Sequence, residues 1–355
     1  MYETILITGA NGYIGTNLTR YLLEHNDKTI TVRAFIQPGT NRTIIDQYQA
    51  NYGKDRLTIH EGDLFDSDSL VRALENVTIV IHLAGLVTDW APASAYFHSI
   101  VDGTQNLLNA IERVNSTAIE QKRPEIRRII YMSSLTVHAM DGHCEDDECA
   151  PRNMHAFPYG IAKARAEDLV AAWTANRPGR DYAAVRPGFI IYGPYDRASY
   201  ISAIDAMMTG TFGFLNGGKA RISYVYIENL VYGMNKLVSA DHIHGPYIIL
   251  DGDKTWKDWV TAWCTTGGVP LPKMNVPYWL IAGPIALLEL LYKLFRIKKS
   301  PPLNLYRLAI ARRDLAFSDR KFRTEFGYDP PVKFEDTLIR TLDYYKIWKE
   351  ETRKK

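Results

Sequence analysis

Residues Met1–Thr16 are MYETILITGANGYIGT. Thr4-Ile5-Leu6-Ile7-Thr8 is a short, mostly apolar and β-branched run, the composition of a strand buried on both faces. Gly9, Gly12 and Gly15 follow at three-residue spacing. From Tyr13 the pattern turns helical, with Ile14, Leu18, Tyr21 and Leu22 on one face. Strand, glycine turn and helix in this order form a cradle for a dinucleotide pyrophosphate. Gly9 suits the tight turn, Gly12 lets phosphate come close to the backbone, and Gly15 lets the helix pack on the strand. The loop and helix start at Asn11, Tyr13 and Ile14 then offer backbone N–H groups and a positive dipole end to the phosphates.

The surrounding chain agrees with an α/β protein. Its 355 residues suffice for two domains, or for one large domain with an appended lobe. Hydrophobic content of 46% and charged content of 23% are ordinary for a globular chain, and a net charge of +2 gives no reason to expect nucleic acid. The first strand starts almost at Met1, and the three cysteines (Cys144, Cys149, Cys264) form no disulfide framework, so a cytoplasmic setting is expected. Cys144 and Cys149 lie near His138 and His143, but the spacing matches no common zinc pattern and no metal is expected.

Strand-like runs at Thr4–Thr8, Ile30–Ile36, Leu57–Glu61, Val77–Leu83, Arg128–Ser133 and Tyr182–Arg186 alternate with helical stretches at Tyr13–His25, Ser67–Leu74, Ala93–Val114 and Phe157–Asn176. Alternation of this kind predicts a Rossmann-type, doubly wound parallel sheet. Past residue 190 it loosens into glycine-rich and aromatic segments. Tyr224–Ile227 and Tyr247–Leu250 are expected to return to the sheet. Residues 1–190 thus read as the dinucleotide-binding domain, with returning segments near 224–250, and residues 191–355 as mainly a smaller, interleaved substrate-binding lobe.

An NAD site of this kind places a carboxylate at the end of the second strand. Here Gln37 holds that place, with Arg33 and Arg42 the nearest cations, so NAD and NADP both remain open. Asp63, before Leu64, ends the third strand. It can receive the adenine amino group or cap the helix that follows. His82-Leu83-Ala84-Gly85 ends the fourth strand, where Ala84 and Gly85 let a cofactor lie on the backbone; His82 reads as a packed core histidine.

Tyr159 and Lys163 are four apart at the start of a helix and share a face. A phenol is a poor base at neutral pH, and a nearby ammonium favours its phenolate. Lys163 also suits the nicotinamide ribose hydroxyls. Ser134, at the end of the fifth strand, is placed to hold a substrate oxygen against Tyr159.

Together these parts resemble the short-chain dehydrogenase/reductase superfamily in its extended branch. The resemblance rests on Thr8-Gly9-Ala10-Asn11-Gly12-Tyr13-Ile14-Gly15, Asp63-Leu64, His82-Leu83-Ala84-Gly85, Ser133-Ser134, Tyr159 with Lys163, Arg186-Pro187-Gly188 and Ile191-Tyr192-Gly193-Pro194. It implies Tyr159 as acid/base, Lys163 as its activator and ribose ligand, Ser134 as donor to the substrate oxygen, Pro187 at the cofactor and a homodimer built on the Ala93–Val114 and Phe157–Asn176 helices. In the branch's usual Asn-Val-x-Gly-Thr run, Ile100 replaces the leading asparagine. Within the branch the chain looks most like the 3β-hydroxysteroid dehydrogenase and sterol-4-carboxylate 3-dehydrogenase group, through Val87-Thr88-Asp89-Trp90, Tyr224–Asn229 and the apolar helix beyond Pro277 followed by Phe326-Gly327-Tyr328-Asp329-Pro330. Bacterial reductases of long-chain 2-alkyl-3-oxo acids look similar too. The resemblance implies an NAD(P)-dependent oxidoreductase of a bulky apolar secondary alcohol or ketone, with Trp90 and Tyr192 at the substrate pocket. A nucleotide-sugar epimerase or dehydratase is the alternative; such enzymes carry asparagine where Phe189 stands, although Arg221 remains available to a diphosphate. A non-catalytic dinucleotide sensor is the second alternative, and intact Ser134, Tyr159 and Lys163 speak against it.

Pro277–Phe295, PYWLIAGPIALLELLYKLF, is uncharged to Leu288 and too short to span a bilayer. It reads as a helix bent or broken at Pro284, either buried in the second lobe or lying in a membrane interface. In the interface, Trp279 and Tyr292 would sit at headgroup level and Arg296, Lys298 and Lys299 would face anionic lipid.

Overall fold

The computed structural model describes residues 3–26, 29–152, 157–197, 200–297 and 299–353. Its centre is a seven-stranded, all-parallel sheet. In spatial order the strands are His244–Ile249, Asp181–Pro187, Arg128–Met132, Ile79–His82, Glu3–Thr8, Ile30–Ile36 and Leu57–Glu61. Strand order reverses between Glu3–Thr8 and Ile79–His82, the crevice where open α/β sheets bind ligands. Ile5, Leu6, Ile7, Val80, Ile81 and Ile130 are fully or almost fully buried, as a strand covered by helices on both faces requires.

The helices Tyr13–His25 and Ser67–Leu74 stand where their periodicity predicts. Asp66 caps the second of these, accepting the Asp68 and Ser69 backbone N–H groups. Asp63 is therefore not the cap; its Oδ1 accepts the Phe65 N–H at 2.9 Å and holds the turn after the strand. The stretch expected as one helix over Ala93–Val114 has three parts: α-helix Ala93–Tyr96, a π turn Phe97–Asp102 and α-helix Gly103–Glu120. π turns widen a helix by one residue, often beside functional sites. Leu107, Ile111 and Val114 of this segment, and Ala162, Ala166 and Val170 of the helix Pro158–Ala175, are buried in one core cluster on the sheet.

A second, mixed sheet of five strands joins His143–Asp146, Ile190–Tyr192, Arg221–Tyr226, Gly252–Thr255 and Leu315–Phe317. Arg221–Tyr226 belongs here, paired with Ile190–Tyr192 and Gly252–Thr255, and does not return to the large sheet as expected; His244–Ile249 does. Gly188 makes the crossing from one sheet to the other, since a Cβ there would lie 2.7 Å from the Tyr224 backbone.

Residues Tyr278–Leu294 form one helix that continues through Pro284, which neither breaks nor ends it. Among the described residues, no helix is long and apolar enough to cross a membrane. Lys298 lies outside the described residues.

Candidate active site

The glycine loop is built as its spacing requires. Gly9 has φ +69°, a left-handed conformation. A Cβ on Gly15 would lie 2.3 Å from the Gly9 carbonyl oxygen, so only glycine lets the helix start against the turn. Gly12 is exposed, and no side chain caps the helix it begins. The first N–H groups of that helix are thus left to an external acceptor, and the cradle fits a pyrophosphate. Asn11 donates from Nδ2 to Thr40 Oγ1 (2.8 Å) and to the Asn41 carbonyl (3.1 Å), fixing the loop to the segment after the second strand. Ile14 is half-buried against the core. The Tyr13 hydroxyl is buried, and burial with Asp196 nearby holds its pKa well above that of a free phenol. Only the backbone of Tyr13 is left for the phosphates.

At the adenosine end Gln37 Nε2 donates to Asp63 Oδ2 at 2.9 Å. Leu64 packs on Gly103, where a Cβ would lie 2.9 Å from its Cδ1. Both nearby cations are engaged elsewhere. Arg33 donates to the Ala73 and Glu75 carbonyls, and Arg42 pairs with Asp46 and Glu61. At the end of the fourth strand, Ala84 packs on Gly9 and Gly85 lies beside Ile100 and Lys163 Nζ.

His82 is a core residue, as its sequence setting suggests. Thr8 Oγ1 accepts the Leu83 and Ala84 N–H groups and so gives its proton to His82 Nδ1, 2.7 Å away. Thr104 Oγ1 gives its proton to the Ile100 carbonyl and accepts from Nε2 at 3.1 Å. The chain sets the Nε2–H tautomer. Burial, with Lys163 nearby, pushes the imidazole pKa down to about 3.

Ser134, Tyr159 and Lys163 come together at the carboxyl end of the sheet. Gly160 brings the Pro158–Ala175 helix against the turn after Ser134, since a Cβ there would lie 2.1 Å from the Thr136 carbonyl oxygen. Arg186 secures the same helix from the sheet, with both nitrogens of its fork on the Glu167 carboxylate at 2.9 and 2.6 Å. Ser134 Oγ accepts from the Thr136 N–H (3.2 Å) and the Thr136 hydroxyl (2.9 Å). With its acceptor positions filled, its own proton points to Tyr159, and this hydrogen bond lowers the phenol pKa. Burial outweighs it, with Tyr96 adding in the same direction, so the phenol is held above its ordinary value. The Lys163 ammonium donates to the Met132 carbonyl at 2.7 Å, 5.9 Å from the centroid of the Tyr159 ring, and burial lowers its own pKa to about 8.

The aromatic groups around Tyr159 come from distant parts of the chain and leave no local mark in it. Tyr96 stands edge-on to Tyr159 at 5.9 Å, and Tyr306 stands edge-on to Phe157 at 5.0 Å. Burial raises the Tyr306 pKa, with Tyr159, Asp89 and Tyr96 close enough to add to the effect. Thr136 was also missed, although Ser-x-Thr is a signal for a local hydroxyl turn. Trp90 is half-buried, its Nε1 donating to the Ile297 carbonyl at 3.1 Å. Its neighbour Asp89 accepts from Ser300, Asn304 and Arg307. Pro187 is buried at its strand end. Tyr192 is a correction. It is fully buried between Trp259 and Trp263 and hydrogen-bonded to Thr337, so it belongs to the core and not to the pocket. Among the described residues no group of three or more His, Cys, Asp or Glu could hold a metal ion.

Known proteins match this chain almost end to end. It is 27% identical to the 4-hydroxy-2-methyl-3-oxo-4-farnesyl-3,4-dihydroquinoline-1-oxide ketoreductase of Stigmatella aurantiaca, over 94% of this chain and 93% of that protein. It is 26% identical to 3 beta-hydroxysteroid dehydrogenase type 7 of Rattus norvegicus, over 96% and 94%. The crystal structure of dTDP-glucose 4,6-dehydratase from Bacillus anthracis in complex with NAD superimposes with a TM-score of 0.73 at 18% identity, covering 98% of each chain, and shares the fold. The profile of the NAD dependent epimerase/dehydratase family matches residues 5–249. The chain belongs to that family, the extended short-chain dehydrogenase/reductases, and NAD(P) is its cofactor.

Proposed function

We propose that this protein interconverts a bulky apolar secondary alcohol and its ketone, a 3β-hydroxysteroid, a sterol or a long-chain 3-oxo lipid, with residues 1–190 carrying the cofactor and 191–355 mainly the substrate. The observation that carries this reading is the wall facing Ser134 and Tyr159. It is made of the rings of Tyr96, Phe157 and Tyr306 around Tyr159. Rings of this kind take a fused-ring or alkyl body by burial of apolar area. A nucleotide sugar needs a cation for its diphosphate. Arg307 is engaged by Asp89 and Arg221 by Asp253, while Phe189 packs near Phe317. Peripheral contact with a lipid surface through 277–299 suits a substrate of this class.

NAD(P) supplies the hydride acceptor or donor. The Gly9–Gly15 loop holds its pyrophosphate, Gln37 and Asp63 its adenosine end, and Lys163 the nicotinamide ribose. Ser134, oriented by Thr136, gives its one proton to Tyr159 in the free site and turns it to the substrate oxygen when the substrate is bound. Tyr159 exchanges a proton with that oxygen. As a buried, protonated phenol it is set to protonate a carbonyl during reduction. Oxidation needs the phenolate, and Lys163 is the cation placed to favour it. A substrate panel tests the reading: steroid and long-chain alcohols should be oxidised in preference to nucleotide sugars. Turnover of nucleotide sugars alone would replace it with the epimerase reading.

A further inference from the structure

The helix Tyr278–Leu294 is inside out. Trp279, Leu280, Leu287, Leu290 and Leu294 are 75%, 48%, 57%, 61% and 70% exposed, and Phe295 just beyond is 69% exposed. At about 100° per residue these positions share one face roughly 160° wide, and no charged residue falls on it. The carboxylate of Glu289 points the other way. It is 7% exposed, accepts the Leu305 backbone N–H and pairs with Lys293 at 3.2 Å. Tyr292 is turned inward too, edge-on to Trp90 at 6.1 Å, and not out to a headgroup layer. An ordinary surface helix buries its apolar stripe and exposes its charges. A contiguous apolar face left outside marks an interaction surface.

Charge decides what covers it. Between Val269 and Arg313 the only acidic residue is Glu289, against eight lysines and arginines. Lys293, Arg296 and Lys299 are exposed at the end of the apolar face. A second copy of this segment would bring no acidic partner for these cations, since its one carboxylate, Glu289, is buried and already paired with Lys293. An anionic bilayer meets both the apolar face and the basic end. At 17 residues the helix is too short to cross.

We propose that this face is a lipid-docking surface, with the helix lying in the plane of an anionic bilayer. Through Trp90, which bonds the Ile297 carbonyl, and Asp89, which holds Ser300 and Asn304, the docked segment is joined to the loop at the rim of the candidate site. Under the apolar-substrate reading, which this clause rests on, docking sets the pocket mouth at the membrane.

The test is sedimentation of the full chain with phosphatidylcholine vesicles, with and without phosphatidylglycerol. The protein should pellet with the anionic vesicles and be released as salt is raised. Leu290→Glu with Leu294→Glu should lower the partition coefficient at least ~10-fold. Its NADH affinity, read by quenching of tryptophan fluorescence, should be unchanged. Arg296→Glu with Lys299→Glu should weaken binding to the anionic vesicles by ~10-fold or more. Wild-type protein that stays in the supernatant with both vesicles, or binding by both variants as tight as that of the wild type, overturns the proposal. So does a concentration-dependent dimer that ignores vesicles and that the leucine substitutions dissociate. Vesicle binding together with turnover of nucleotide sugars alone would leave docking standing and remove the substrate reading.

Discussion

Thr136→Val tests whether the site is organised through Ser134. Valine keeps the shape of threonine and loses only the hydroxyl that donates to Ser134 Oγ at 2.9 Å. One acceptor position on Ser134 is then open, and its proton is no longer directed at Tyr159. A single neutral hydrogen bond is worth about 0.5–1.5 kcal/mol, so kcat/KM should fall roughly 2- to 10-fold. The sign of a second effect follows from the site. The Ser134 hydrogen bond lowers the Tyr159 pKa, so weakening it moves the phenol further up. In the oxidation direction, which needs phenolate, the deficit should be largest at neutral pH and shrink as pH rises. Steady-state kinetics across pH, with NAD(P) and a steroid alcohol, read both effects, and Thr136→Ser should restore them. An unchanged pH profile in a folded, cofactor-binding Thr136→Val protein would refute the arrangement, because a merely structural role moves no ionisation.

Gly160→Ala drives a Cβ to 2.1 Å from the Thr136 carbonyl oxygen, and overpacking of this kind costs about 1–3 kcal/mol; a lowered Tm with a lower kcat is the expected outcome of thermal melts and kinetics. Gln37→Asp should shift preference towards NAD and Gln37→Arg towards NADP, read as kcat/KM and Kd for both cofactors, because neither Arg33 nor Arg42 is free to hold a 2′-phosphate. Between pH 7 and 5 the unfolded chain takes up a proton at His82, which the folded chain, with a pKa of about 3, refuses. Stability therefore falls with pH, by about 2 kcal/mol at pH 5 for this group. His138, lowered to about 4, adds a similar loss, so His82→Gln should remove roughly half of the histidine-linked difference in urea stability between the two pH values.

The glycine loop and its strands were legible because their determinants are local. A left-handed turn at Gly9 and a helix start without a Cβ at Gly15 leave their mark at fixed spacing. The pairing of Ser134 with Tyr159 was legible as a set, but the balance of forces between them was not. Burial of the phenol depends on groups far along the chain, and it outweighs the Ser134 hydrogen bond, with Tyr96 adding to it. Periodicity also sets Leu287, Leu290, Leu291, Leu294 and Phe295 on one side of their helix, opposite Glu289 and Lys293. It could not show that this side faces outward, since the period fixes which residues stand together and tertiary packing fixes which way they face. Tyr192 failed for the same reason. Its place in a motif near the site gave no sign that the ring lies between Trp259 and Trp263.

In the proposed reaction Tyr159 exchanges a proton with the oxygen of an apolar alcohol or ketone. Tyr159→Phe removes one hydroxyl and leaves the ring against Tyr96. Appearance of reduced nicotinamide with a 3β-hydroxysteroid or long-chain alcohol should fall at least ~100-fold in this variant, the scale of general acid–base catalysis, while cofactor affinity is kept. Near-normal turnover by Tyr159→Phe would contradict the account.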